Sequence, residues 1–174
     1  RSKNSDEYFL ICVNAINAAK DFEWIRSVGR EYQVNVSDRS LDYSQLALQG
    51  PQSQSILGRA LGIDFCNLRR FHFLETSWDD VELIVARTGY TGEDGFEIFI
   101  PWGYAGRIWE AILSQSAQFE VVPTGLGSRD ILRIEMAYPL YGHELNEVLS
   151  PVESGLGRYV IIDKGDFIGK GALL

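Results

Sequence analysis

Between residues 71 and 100 three short apolar runs follow one another, Phe71–Glu75, Val81–Arg87 and Phe96–Ile100, with only polar or glycine-rich breaks between them. Breaks this short cannot hold a crossover helix, so consecutive strands here must run antiparallel. The first break, Thr76-Ser77-Trp78-Asp79-Asp80, predicts a hairpin with a five-residue loop. The second contains Gly92-Glu93-Asp94-Gly95, whose Asp-Gly pair signals a turn with positive φ at its second residue. A chain with this segment at its centre is neither all-helical nor a purely parallel α/β protein.

The flanks add alternating strand and helix signals. Tyr8–Val13 reads as a buried strand, and from Asn14 to Arg30 the residues Ile16, Phe22, Ile25 and Val28 recur at helical spacing. Val34–Val36 is a weak strand and Asp38–Tyr43 a polar connection. Gln45–Gln49 alternates like a strand, and Gly50-Pro51 breaks it, with Pro51 at the first position of a helix reaching residue 62. Helical spacing returns at Ile108, Trp109, Ile112 and Leu113, and at Ile131, Leu132, Ile134 and Met136. Around and beyond Tyr141, Pro139, Pro151, Gly155, Gly157, Gly165, Gly169 and Gly171 predict loops and short strands. The fold class expected is α+β, with mixed, largely antiparallel sheets and flanking helices.

Composition removes several functions. With 45% apolar and 23% charged residues the chain has the profile of a folded protein. Its net charge of −8, from 24 acidic and 16 basic residues, comes without a basic patch, which argues against nucleic acid as a partner. No apolar stretch approaches the roughly 20 residues of a membrane span. Cys12 and Cys66 stand alone, which excludes a zinc ribbon, a redox CxxC pair and a disulfide scaffold and favours a reducing compartment. His72 and His143 lie at no metal-ligand spacing, so no metal is expected. Gly125-Leu126-Gly127 has Asp130 where a dinucleotide fingerprint needs a third glycine.

Three residues carry chemical interest on their own terms. Glu97 is the one charge among Phe96, Ile98, Phe99 and Ile100, and strict alternation puts it on the same face as Phe99. It is either a solvent-facing strand glutamate or a carboxylate that accepts N–H bonds from a heterocycle, with Tyr90 in the preceding glycine-rich loop offering a stacking face. Arg129 falls in the first turn of a helix that Ser128 would cap, where the macrodipole disfavours a cation. Either Asp130 offsets it or an anionic ligand does. Asn14 is a helix N-cap or a ligand-facing amide at a strand-to-helix junction.

The chain resembles the T-protein of the glycine cleavage system, a tetrahydrofolate-dependent aminomethyltransferase. The resemblance runs from end to end through Val13-Asn14-Ala15, Leu46-Ala47-Leu48-Gln49-Gly50-Pro51 and, most specifically, Arg87-Thr88-Gly89-Tyr90-Thr91-Gly92-Glu93-Asp94-Gly95-Phe96-Glu97. It continues through residues 125–135, Leu140-Tyr141-Gly142, Ser150-Pro151-Val152-Glu153 and Ile168-Gly169-Lys170. It implies that Glu97 binds the pterin, that Tyr90 lies near its ring and that Arg129 contacts the folate. Asn14 lies close to the ligand, and Cys12 occupies a position contacting it through backbone.

The implied reaction moves a methylene group from the aminomethyl-lipoyl arm of H-protein to tetrahydrofolate, releasing ammonia. The family's essential aspartate is expected upstream of Arg1, and Asp6 matches no family position, so the isolated chain is expected to be inactive. The expected organisation is 1–40 as the remainder of a small α+β subdomain, 41–150 as the folate-binding domain and 151–174 as a crossover towards a C-terminal barrel. The lipoylated H-protein is the implied partner. Localisation is expected to be cytoplasmic in a bacterium, which is preferred, or the mitochondrial matrix in a eukaryote. The alternatives are the folate domain of a sarcosine or dimethylglycine dehydrogenase and a non-catalytic folate-binding module.

Overall fold

A computed structural model describes residues 9–174. Four strands, β1 (Tyr43–Gln49), β2 (Phe73–Trp78), β3 (Val81–Ala86) and β4 (Gly95–Pro101), form one sheet in the order β1-β4-β3-β2. Every pairing is antiparallel. The helices are α1 (Ala18–Gly29), α2 (Ser53–Leu61), α3 (Ala105–Leu113), α4 (Leu126–Glu135) and the short α5 (Lys170–Leu173). The α+β architecture is thus built, among the described residues, on a single sheet that is antiparallel throughout. The chain divides into two compact units, Arg1–Leu132 and Arg133–Leu174.

Period-two alternation gives β4 two different faces. Phe96, Ile98 and Ile100 are fully buried on one, where they meet Leu83 and Val85 of β3, Ile56, Leu57 and Leu61 of α2, and Ile108 and Ile112 of α3. Removing an Ile or Phe side chain of this kind from water contributes about 1.5–3 kcal/mol. The opposite face is thinner: Phe99, Ile84, Ala86 and Phe73 cluster there, with Tyr43 and Leu10 against them. Glu97 belongs to this second face, in register with Ala47 of β1 and Ala86 of β3.

Several local expectations are corrected. The β2–β3 hairpin closes with two residues rather than five, because Asp79 and Asp80 both take left-handed φ (49° and 64°) and Trp78 pairs directly with Val81. That is the conformation a two-residue hairpin turn needs, and aspartate tolerates it without glycine. In the loop before β4 the positive φ falls on Gly92 (78°), not on Gly95. Pro51 lies in the turn before α2, whose first residue is Ser53; Gly50 at φ 125° makes that turn.

The apolar run at Tyr8–Val13 makes no ladder over its described residues 9–13, and Tyr8 lies outside them, as does Asp6. Leu10 packs on the smaller cluster while Ile11 stays exposed; a strand is defined by its ladder, and an apolar run alone does not make one. Val34 and Val36 do not join the sheet either. Their methyl groups close over Gly29 at the end of α1, 3.3 Å from where a Cβ would stand.

In the second unit Arg133, 3% exposed, donates to the Tyr138 carbonyl (3.1 Å) and to Glu144 (2.7 Å). The Leu140 N–H, then Arg133, hold the Glu144 carboxyl down to about 2. Its folded pKa is depressed, so this interaction stabilises fully above the ordinary carboxylate range and is lost as pH falls towards 2. Residues 141–174 hold turns, short helices and one isolated bridge, Tyr141 to Leu145, rather than the short strands expected; Gly155, Gly165 and Gly169 interrupt the backbone at positive φ.

Ile98→Ala should destabilise the chain by about 2–5 kcal/mol, because it empties the helix-covered side of the strand that carries Glu97. Urea unfolding followed by circular dichroism measures this, and a loss below about 1 kcal/mol would mean the core does not depend on that residue.

Candidate functional site

On the thinner face of the sheet, Glu97 is half-buried and each of its oxygens receives one donor. Gln45 Nε2 of β1 donates to Oε1 at 2.6 Å, and the Thr88 hydroxyl donates to Oε2 at 2.5 Å. An ionised carboxylate offers about four acceptor positions, so this arrangement leaves one on each oxygen. Cys12 closes the row by directing its Sγ at Gln45 Oε1, 3.9 Å away. Although Cys12 is an exposed residue, the crowding of its sulfur and then the negative charge of Glu97 push its thiol pKa up. The thiol therefore acts as a weak donor into the row, not as a thiolate.

The loop from Thr88 to Asp94 is fixed from both ends. Arg87 forms a two-pronged pair with Asp94, Nε to Oδ1 at 2.9 Å and Nη2 to Oδ2 at 2.6 Å, and donates Nη1 to the Leu68 carbonyl at 2.9 Å. The Asp94 carbonyl accepts the Gly50 N–H (2.8 Å) and the hydroxyl of buried Ser53 (3.2 Å), tying the loop to the β1–α2 connection. Inside the loop lies the side chain of Gln49. Its Nε2 donates to the Thr88 carbonyl (3.1 Å) and the Phe96 carbonyl (3.3 Å), and its Oε1 accepts from Thr91 (3.3 Å). Gly89 and Gly95 make room for it: a Cβ at either position would stand 1.7 Å and 2.4 Å from Gln49 atoms.

Tyr90 and Arg129 meet, with the guanidinium 5.2 Å from the ring centroid. α4 starts at Leu126, so Ser128 lies inside the helix and does not cap it, while the Arg129 N–H bonds the Gly125 carbonyl at 3.2 Å. Arg129 rests against the tyrosine face, an attraction of about 0.5–1 kcal/mol at an exposed site. Among the described residues no ion pair joins Glu97 to Arg129. Asn14 is exposed and makes no side-chain cap; it contributes its carbonyl to the Asn17 N–H (2.9 Å) that opens a short 3-10 turn before α1. Glu97 and Cys12 are thus joined through Gln45, Tyr90 and Arg129 form a second pair, and Asn14 takes part in neither.

Gln45, Gln49 and Thr88 were not singled out from the sequence. The signal for the first two was present, since Gln45, Ala47 and Gln49 alternate onto one face of β1. Among the described residues no group of His, Cys, Asp and Glu side chains is placed to hold a metal, and no helix is long and apolar enough to cross a membrane.

An antiparallel sheet covered by helices on one face, with a doubly anchored carboxylate on the other and a glycine-rich loop beside it, defines an α+β fold. The chain belongs to the family described as the GCVT N-terminal domain, whose model matches residues 2–164. Among curated proteins it is 44% identical over 173 residues to the aminomethyltransferase of Thermoanaerobacter pseudethanolicus, covering 99% of this chain and 47% of that protein. With the aminomethyltransferase of Desulfitobacterium hafniense it is 45% identical over 169 residues, covering 97% of this chain and 46% of the relative. The crystal structure of glycine cleavage system aminomethyltransferase T from Bartonella henselae matches with a TM-score of 0.77 at 32% identity, over 91% of this chain and 42% of that one. The chain spans about half the length of the curated relatives it matches.

The Arg87–Asp94 pair predicts acid sensitivity of the loop. The hydrogen bond from Arg87 holds the Asp94 carboxyl below its ordinary range, so the stabilisation is complete at neutral pH and disappears as pH falls through the depressed folded value. Asp94→Asn should cost about 2 kcal/mol at pH 7 and flatten the acid limb of a melting-temperature profile between roughly pH 5 and pH 2, the range over which carboxylates titrate. An unchanged acid limb would show that the pair does not hold the loop.

Proposed function

We propose that this chain supplies the folate-binding wall of a glycine cleavage aminomethyltransferase. The observation that carries the proposal is Glu97, held half-buried on the open sheet face with one acceptor position left on each oxygen. Two parallel N–H donors on the edge of a flat heterocycle, as the pterin ring of tetrahydrofolate has, match that arrangement. Tyr90 borders the site as an aromatic face, and Arg129, stacked on it, offers a guanidinium to the carboxylate tail of a folate. Cys12 borders the site through its contact with Gln45, and Asn14 is retained as a residue close to the ligand. Curated relatives named aminomethyltransferase support this over a folate domain of a dehydrogenase.

Tetrahydrofolate bound there would accept the methylene carbon carried as an aminomethyl group on a lipoyl sulfur, with ammonia leaving and the sulfur regaining a proton. Glu97 and its two donors orient the heterocycle's edge, and the loop of Tyr90 limits its tilt. The residues described bind and orient, and no proton-transfer step is assigned to them. Lipoylated H-protein is the proposed partner, and the bacterial relatives support a cytoplasmic setting. The proposal retains residues 41–150 as the folate-binding part, 1–40 as part of a smaller subdomain and 151–174 as a lead towards a further domain.

Titration calorimetry with 5-formyltetrahydrofolate tests the reading. The chain should bind, Glu97→Gln should weaken binding by roughly tenfold or more through loss of the charged acceptor, and Arg129→Ala should weaken it with both folate and its diglutamate. Absence of binding by the unsubstituted chain, or one affinity shared by all three proteins, overturns the proposal.

A further inference from the structure

We infer that Gln49 is the positioning residue of this site, acting on Glu97 through Thr88 and on Tyr90 through the loop; the inference rests on the folate reading for its ligand but not for its geometry. Gln49 alternates onto the same face of β1 as Gln45, yet the two glutamines do different things. Gln45 touches Glu97 directly. Gln49 does not, and spends its amide on backbone: Nε2 bridges the carbonyls of Thr88 and Phe96, the residues at either end of the Gly89–Gly95 loop, while Oε1 receives the Thr91 hydroxyl.

Two features show that this placement is specific to a glutamine lying within the loop. The chain carries glycine at both positions where a Cβ would strike it, Gly89 and Gly95, and neither takes the positive φ that would otherwise call for glycine. These glycines serve close approach rather than backbone conformation. Fixing the Thr88 carbonyl also fixes the residue whose hydroxyl donates to Glu97 Oε2, and Thr88 leads by two residues to Tyr90. The Phe96 carbonyl, bound by the same amide, immediately precedes Glu97. One side chain therefore sets both the donor and the strand on which the acceptor stands, and a carboxylate aimed with its free acceptor positions outward depends on that setting.

The test compares the unsubstituted chain with Gly89→Ala, Gln49→Ala and the double variant, read by melting temperature, by 5-formyltetrahydrofolate affinity, and by three-bond couplings that report the Glu97 side-chain rotamer in the ligand-free protein. Gly89→Ala should lower the melting temperature by driving its methyl into Gln49. In the Gln49→Ala background the same change should add little, because the collision is gone. Affinity should not recover with stability: both proteins lacking Gln49 should bind at least about tenfold more weakly, with Glu97 averaging over rotamers. If Gln49→Ala unfolds the chain, Gln49→Met, which fills the loop but cannot donate to the Thr88 and Phe96 carbonyls, gives the same decision, with weaker affinity and Glu97 averaging over rotamers expected. Wild-type affinity and a single Glu97 rotamer in Gln49→Ala, or in Gln49→Met should the alanine variant unfold, overturns the inference. Failure of the unsubstituted chain to bind folate would instead sink the ligand reading and leave the rotamer measurement to decide the role of Gln49.

Discussion

The structure depends on β4 satisfying two faces at once. Its even residues, Phe96, Ile98 and Ile100, are buried completely under α2 and α3, and this fixes the register of the strand against β1 and β3. A one-residue slip would put Glu97 into that apolar layer, at the cost of desolvating a charge, and would expose three large side chains. The position of the carboxylate on the open face is thus enforced by packing on the other side of the same strand. Chemistry on one face is held in place by hydrophobic burial on the opposite one.

The loop before β4 needs a different kind of support because it has almost no apolar side chains to bury. Its order comes from polar groups paired at short range. Arg87 and Asp94 close the neck, Gly50 and Ser53 hold the Asp94 carbonyl, and the Gln49 amide occupies the interior. Each such bond contributes about 1 kcal/mol net, yet together they leave no backbone carbonyl at the ends of the loop free to swing. Glycine here has two separate uses: Gly92 supplies a left-handed turn, and Gly89 and Gly95 supply absence of volume.

Much of this was legible because period-two alternation is a local property. Phe96 to Ile100 announces a strand with one face apolar and one face bearing Glu97, and the structure has that strand. The antiparallel meander followed from breaks too short for anything else. What could not be read were facts that depend on a partner distant in the chain. Tyr8–Val13 looks like a strand but has no ladder over its described residues. The role of Gly89 and Gly95 is visible only once Gln49, some forty residues earlier by sequence position, is seen between them. Asp79 and Asp80 hid a two-residue turn because left-handed aspartate is permitted but not demanded by its side chain. For the candidate site, Glu97 stood out as a charge in an apolar run, whereas Gln45 and Thr88, ordinary polar residues on any surface, acquire meaning only from the oxygen each one faces.

The thiol of Cys12 gains a consequence from its neighbours. An exposed cysteine beside a binding surface would ordinarily be open to alkylation and to stepwise oxidation, since both begin with the thiolate. The crowding of the sulfur works against that ionisation, and the carboxylate of Glu97 adds to it. The acidic group proposed to grip a ligand therefore also disfavours the thiolate of the adjacent cysteine, the form from which oxidation and alkylation start.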